Sequence, residues 1–180
     1  MAVVSGGDPG VFAMAAAICE ALERGPSGWR DLDLAIVPGI TSMLAVAARV
    51  GAPLGHDFCA LSLSNNLKPW AVVEQRLQAA ASAGFVIALY NPISRARPWQ
   101  LQRAFEILRA HLPAATPVVF GHGVGRVDER VRIAMLGTAD GSQADMATCI
   151  IVGSSETRLL ARSNGAALVY TPRSAGGFST

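Results

Sequence analysis

Charge is scarce in this 180-residue chain: Asp, Glu, Lys and Arg make up 16% of it and balance to only +2. Ordinary soluble domains carry about 25%. No basic stripe runs along the sequence, so a nucleic-acid partner is not expected. Long apolar runs are also missing. A membrane-spanning helix needs roughly 18 consecutive apolar residues. The best run here, Val11 to Cys19, is half that length and reads as a core helix. No membrane partner is expected either. Cysteine is sparse, with Cys19, Cys59 and Cys149 standing far apart. There is no Cys-x-x-Cys and no zinc spacing, so no metal site is expected. An odd count of thiols, with no charged-then-apolar leader at Met1-Ala-Val-Val-Ser-Gly-Gly-Asp, reads as a cytoplasmic protein with buried cysteines. Aromatics amount to 6%. Core material is not short: 51% of the residues are hydrophobic, which rules out disorder.

What is present alternates. Ala2–Ser5 reads as a strand, Gly6-Gly7-Asp8-Pro9-Gly10 as a turn, and Val11–Arg24 as a helix with Val11, Met14, Ile18 and Leu22 on one face. Leu34–Val37 reads as a strand, followed by a helix from Thr41 or Ser42 to Val50, and Phe58–Leu63 as a third strand. The polar stretch Ser64–Pro69 reads as a linker, which divides the chain into units 1–64 and 65–180. Beyond it, Ala71–Ser82 and Trp99–Leu112 have helical spacing. Gly84–Tyr90, Pro117–Phe120, Glu129–Met135, Thr148–Val152 and Ala167–Tyr170 read as strands, and the tail after Arg173 as loose. Strands alternating with helices predict an α/β fold with a mostly parallel sheet. Ligands of such sheets sit beyond the carboxyl ends of the strands.

Four of those exits are rich in Gly, Asx or Pro: Gly6-Gly7-Asp8, Pro38-Gly39-Ile40-Thr41, Tyr90-Asn91-Pro92 and Gly121–Gly125. Adjacent glycines let a ligand approach backbone N–H groups. Asp8 suits an ammonium or a ribose hydroxyl; the turn lacks the Gly-Lys-Ser/Thr ending of a phosphate-binding loop. Gly121-x-Gly-x-Gly does not open a helix, so it is not read as a dinucleotide fingerprint. His56 and His122 lie in loops where either an acid–base role or a plain capping role is open, and His111 lies at a helix end. Arg95, Arg97, Arg126 and Arg158 fall in expected loops or helix starts, and several of them around one cleft would suit a polycarboxylate.

In order, the segments Ser5-Gly-Gly-Asp-Pro-Gly-Val-Phe12, Val37-Pro-Gly-Ile-Thr-Ser42, Gly51-Ala-Pro-Leu-Gly-His-Asp-Phe58, Leu61-Ser-Leu-Ser64, Phe85-Val-Ile-Ala-Leu-Tyr-Asn-Pro92, Trp99-Gln-Leu101 and Ile151-Val-Gly153 closely resemble the tetrapyrrole methyltransferases. Gly-Asp-Pro and Pro-Gly-Ile-Thr are shared across that superfamily. Ala-Pro-Leu-Gly-His-Asp-Phe and Ala-Leu-Tyr-Asn-Pro point to its C17-methylating branch in cobalamin biosynthesis. The resemblance implies two α/β/α domains, the first incomplete at its N-terminus, since the family's opening strand and Gly-Pro-Gly loop are not in this sequence. It implies transfer of a methyl group from S-adenosylmethionine to C17 of precorrin-3B, with ring contraction, in a cytoplasmic homodimer. Another ring carbon, a cobalt-containing substrate, or an inactive remnant stay open at this point.

Carried over residue by residue, Gly6, Gly7, Asp8 and Val11 would hold the methionine and ribose part of S-adenosylmethionine. Thr41 and Ser42 would line the same pocket, Tyr90 and Asn91 would enter from the second domain, and Val124, Thr148 and Cys149 would sit near the adenine. His56 or His122 would move protons in ring contraction. Arg95, Arg97 and Arg126 would meet the acetate and propionate groups of the substrate. Two stretches depart from the family pattern: Asn65-Asn66 stands where an acidic residue is expected, and Gly121-His-Gly-Val-Gly replaces an Arg-Asn-containing stretch.

Overall fold

The computed structural model describes residues 1–163 and 165–174. Most of the expected tail beyond Arg173 therefore lies outside the described residues. A helix α1 (Met14–Arg24) is followed by α2 (Ser42–Val50) and a two-residue strand β1 (Gly51–Ala52). The centre of the chain runs β2 (Phe58–Ser62), α3 (Trp70–Ser82), β3 (Val86–Tyr90), α4 (Gln100–Arg109), β4 (Pro117–His122) and β5 (Arg130–Met135). Strands β6 (Thr148–Val152), β7 (Arg158–Arg162) and β8 (Gly165–Tyr170) close it.

Five strands form one sheet in the order β2-β3-β6-β4-β5, and β1-β8-β7 form a smaller one. The helical crossovers α3 and α4 make β2, β3 and β4 run in the same direction, as crossover connections require. The sheet is nevertheless mixed, not mostly parallel. β6 inserts antiparallel between β3 and β4, and β5 returns antiparallel to β4 through the glycine loop. A short loop can only join antiparallel neighbours, which is why the expectation failed there.

Burial alternates along the strands and separates two cores. Ile87, Leu89, Val118, Phe120, Ile150 and Val152 face α3 and α4, where Leu77, Leu101, Phe105 and Leu108 are fully buried. Val86, Val119, Cys149 and Ile151 face the other way, against Val46, Ala47 and Val50 of α2. Gly121 shares this second face, and a Cβ there would overlap the Val46 side chain. Its lack of a side chain is what lets α2 lie close to β4.

Two further expectations change. Ala2–Ser5 and Leu34–Val37 are not strands: they have the apolar composition, but no strand among the described residues pairs with them, and Val4, Ile36 and Val37 are exposed. β1 and β7 are additional strands, and Arg158 opens β7 instead of lying in a loop. β2 falls before the expected boundary at 64/65, yet it pairs in parallel with β3 over all five residues. No helix among the described residues is long and apolar enough to cross a membrane.

Candidate functional site

The carboxyl ends of β2, β3 and β4 and the amino end of β6 meet at one edge of the large sheet. Two adjoining hollows, each of about 200 Å³, open there. The first is lined by Gly6, Gly7, Asp8 and Val11 from the first turn, and by Thr41 and Ser42 at the start of α2. Tyr90 and Asn91 at the β3 exit, and Thr148 and Cys149 at the β6 entry, complete the expected set around it. Val124 lines the second hollow, which shares Gly6, Gly7, Ser42 and Arg126 with the first.

Asp8 ties the first turn to the second. Its Oδ1 accepts the Gly10 N–H at 2.8 Å and its Oδ2 accepts the Gly39 N–H at 3.0 Å. Gly7 adopts a φ of +76°, and a Cβ on Gly39 would overlap the Gly7 carbonyl oxygen. The two loops therefore touch backbone to backbone, which only glycine permits. The carboxylate retains free lone pairs for a cation.

Tyr90 joins the sheet to α2. Its hydroxyl lies 2.6 Å from Thr41 Oγ1 and accepts the Met43 N–H at 3.0 Å. Burial pushes the phenol up from its ordinary value, partly offset by those two hydrogen bonds. Asn91 has a φ of +51°, and its Nδ2 donates to Ser62 Oγ at 2.9 Å. Phe12 has a φ of +52° and packs its ring 5.1 Å from that of Tyr90. Two non-glycine residues in the left-handed region border one hollow, a concentration of backbone strain. Cys149 is buried beside Tyr90, and burial pushes its thiol up to about 12.

The charged candidates divide. Arg126 lines both hollows. Arg95 and Arg97 lie outside them, in a narrow turn closed by the Ser94–Arg97 bridge beyond β3; the buried Nη1 of Arg97 has no hydrogen-bond partner among the described residues. His56 precedes β2 and so sits at the opposite edge of the sheet. Five strand residues separate that edge from the hollows, a span of roughly 17 Å. Its Nδ1 accepts the Asp57 N–H. His122, at the β4 exit, has both ring nitrogens on carboxylates: Nδ1 is 3.0 Å from Asp145 and Nε2 is 3.1 Å from Asp128. The structure thus brings His122 to the site end of the sheet and leaves His56 away from it. His111 lies 3.3 Å from the Ser82 hydroxyl and lines neither hollow.

Sequence reasoning missed Phe12, Ala13, Met146 and Ala147 of the first hollow. Met146 and Ala147 follow from Thr148 as chain neighbours. Nothing in the sequence marked Phe12, whose place depends on an unusual φ.

Residues 1–140 match the family of tetrapyrrole (corrin/porphyrin) methylases. A precorrin-3B C(17)-methyltransferase of Sinorhizobium sp is 65% identical over 177 residues, covering 98% of this chain and 70% of that protein. The crystal structure of the methyltransferase CobJ superposes with a TM-score of 0.87 at 46% identity, over 94% of this chain and 69% of that one. A uroporphyrin-III C-methyltransferase from Thermus thermophilus, complexed with S-adenosyl homocysteine, shares the fold at a TM-score of 0.57 and 22% identity, over 82% of this chain and 62% of that one.

Proposed function

The chain belongs to the tetrapyrrole (corrin/porphyrin) methylases, and we propose on that footing that it methylates C17 of precorrin-3B from S-adenosylmethionine, with ring contraction, in cobalamin biosynthesis. The observation that carries this reading is the first hollow: ten of the eleven residues expected around the methyl donor, drawn from four separate segments, surround it. Composition did not require those segments to meet.

The residues present fit the donor's chemistry. Asp8 has lone pairs left for an ammonium after its two backbone hydrogen bonds. Gly6 and Gly7 offer close backbone approach, and Thr41 and Ser42 present hydroxyls at the start of α2. When bound, S-adenosylmethionine supplies an electrophilic methyl on a sulfonium. Displacement by a ring carbon then depends on alignment more than on acid–base groups. Tyr90 and Asn91 serve that alignment by fixing the β3 exit to α2 and to Ser62. Arg126, which lines both hollows, is proposed to receive a carboxylate of the substrate. Arg95 and Arg97 are proposed for the outer acetate and propionate groups, on the strength of their place in the turn that follows the β3 exit. Units 1–64 and 65–180, a cytoplasmic location and a homodimer belong to the same proposal; light scattering measures the last.

Calorimetry with S-adenosylhomocysteine tests the donor site, and transfer of a labelled methyl group to precorrin-3B tests the acceptor. Binding without transfer to this substrate would overturn the C17 reading while keeping the donor site. Absence of binding would overturn both.

A further inference from the structure

The histidine in the glycine loop invites an acid–base role, but its surroundings argue for another one. Both ring nitrogens of His122 face carboxylate oxygens, at 3.0 Å and 3.1 Å. Ionised carboxylates only accept hydrogen bonds. Both contacts are hydrogen bonds only when both nitrogens carry protons. Asp128 is held below the ordinary carboxylate range, first by the hydrogen bond from His122. Burial works to raise Asp145, but hydrogen bonds from Thr148, His122 and Ala147 outweigh it and hold it low. Both carboxylates are therefore held as acceptors around the ring.

Strand alternation settles which way the ring points. Gly121 faces Val46 of α2, on the side where Tyr90 and Cys149 meet the hollow. His122 is the next residue, so its side chain leaves the sheet on the opposite face. His122 lines neither hollow and stands beside the wall of the first, where its register partner Thr148 lies. Each carboxylate then extends the contact to that wall. Asp145 Oδ1 also accepts the Thr148 hydroxyl at 2.8 Å and the Ala147 N–H at 3.0 Å, and both residues line the first hollow. Asp128 packs against Gly123, whose φ of +53° starts the loop carrying Val124 and Arg126. Other charges near the ring are Arg130, its register partner on β5, and Arg126 and Glu129 in the loop.

We infer that His122, held through both ring nitrogens by Asp145 and Asp128, buttresses the glycine loop and the β6 entry, a positioning residue and not the proton carrier of ring contraction. A ring with no free nitrogen has no site from which to give or take a substrate proton without breaking the buttress. That the braced wall holds the methyl donor rests on the proposed function; the buttress itself does not.

Nitrogen NMR of the imidazole and amide exchange test the inference directly. Both ring nitrogens of the wild type are expected to show hydrogen bonds to carboxylates. Asp128→Asn, a change at an exposed residue, is expected to shift the Nε2 resonance and to speed amide exchange at Gly125. His122→Phe is expected to speed amide exchange at Gly125 and Ala147 and to weaken S-adenosylhomocysteine binding by about tenfold, the scale of a lost charge-assisted hydrogen bond. His122→Arg, which also donates to two carboxylates, is expected to restore both readouts to within about twofold. A ring nitrogen without a hydrogen bond in the wild type, or unchanged exchange in His122→Phe and Asp128→Asn, overturns the buttress. Wild-type protein that binds no S-adenosylhomocysteine overturns the donor-site reading alone, because the nitrogen spectra and exchange rates still report on His122.

Discussion

Tyr90 Oη lies 2.6 Å from Thr41 Oγ1, across 49 residues of chain, and this contact does for α2 what its own N-cap does not. The first N–H groups of a helix lack partners within it. The Thr41 side chain makes no cap hydrogen bond of its own, and the Tyr90 hydroxyl accepts the Met43 N–H instead. Tyr90→Phe keeps the ring against Phe12 and deletes only the hydroxyl. The expected cost is about 1–2 kcal/mol, the range of a lost cap, read from urea denaturation. S-adenosylhomocysteine affinity should fall with it, because Thr41 and Ser42 share the hollow. A variant as stable as the wild type would show that the hydroxyl is not the cap.

The second prediction concerns two loops that meet without side chains between them. Gly39→Ala places a methyl group into the Gly7 carbonyl oxygen and pushes the Pro38-Gly39 loop off the first turn. The Gly39 N–H then loses Asp8. Neither loop contributes to a sheet, so far-UV dichroism should not change, while S-adenosylhomocysteine affinity should drop by about tenfold or more, since a 1 Å misplacement is costly in a positioned site. Gly28→Ala is the control: a Cβ there meets nothing within 4 Å, and affinity should hold. Equal affinities for the two variants would refute the close-approach argument.

How much of this was legible depended on which physical signal each residue carries. Leu101, Phe105 and Leu108 announce α4 by helical spacing, and all three are fully buried. Thr148–Val152 announces β6 as an unbroken apolar run, and it is buried throughout. Leu34–Val37 carries a similar apolar signal and forms no strand, because a strand needs a partner that composition does not reveal. Arg158–Arg162 carries no alternation, is exposed at every position, and is a strand only because β8 pairs with it. In the site, Asp8, Tyr90 and Asn91 could be read from exit loops. Phe12 could not, since its positive φ is invisible in sequence. His56 and His122 looked equivalent as loop histidines. Only the direction of β2 and the alternation along β4 separate them.

Packing between α2 and β4 gives a third prediction. Gly121→Ala drives a methyl group into the Val46 side chain, at a fully buried position. Overpacking of this kind costs typically 1–3 kcal/mol. Val46→Ala alone opens a cavity and also destabilises. The double variant should recover about 1 kcal/mol or more relative to the sum of the single changes, because each relieves the other. Additive effects in a denaturation cycle would mean that the helix moves as a body and that the contact is not specific.

Cysteine reactivity gives the fourth. Cys149 lines the first hollow, and burial pushes its thiol up to about 12. Alkylation needs a thiolate. Iodoacetamide should label the exposed Cys19 readily and leave Cys149 unlabelled until the protein is unfolded. The same protonated state suits the proposed function, since a thiolate there would compete with the ring carbon for the methyl group. The linkage has a definite sign. The folded thiol holds its proton more tightly than the unfolded one, so this contribution is intact below the unfolded value of 9.0 and is lost as pH rises above it. Mass spectrometry of labelled native protein checks the reactivity; rapid native labelling of Cys149 would contradict it.

The glycine loop should fail from the acid side. Glu129 accepts the Gly125 N–H at 2.7 Å and meets the Arg49 guanidinium through both oxygens, at 2.7 Å and 3.1 Å. The hydrogen bond from Arg49 is the first cause that holds Glu129 low, as that from His122 is for Asp128. Carboxylates with lowered folded values bind protons less readily than in the unfolded chain. Their contribution is therefore present above the unfolded values, 4.5 for Glu129 and 3.8 for Asp128, and is lost as pH falls through the lower folded ones. Protection of the Gly125 amide, corrected for intrinsic exchange, should hold above that range and collapse below it. The Arg49 and Asp128 side chains are more than half exposed, so added salt should weaken the protection. Arg49→Met should lower protection at neutral pH by removing the bidentate partner while keeping the packing of its stem. If protection persists unchanged in acid and in Arg49→Met, the carboxylates are bystanders and the positive-φ glycines alone hold the loop.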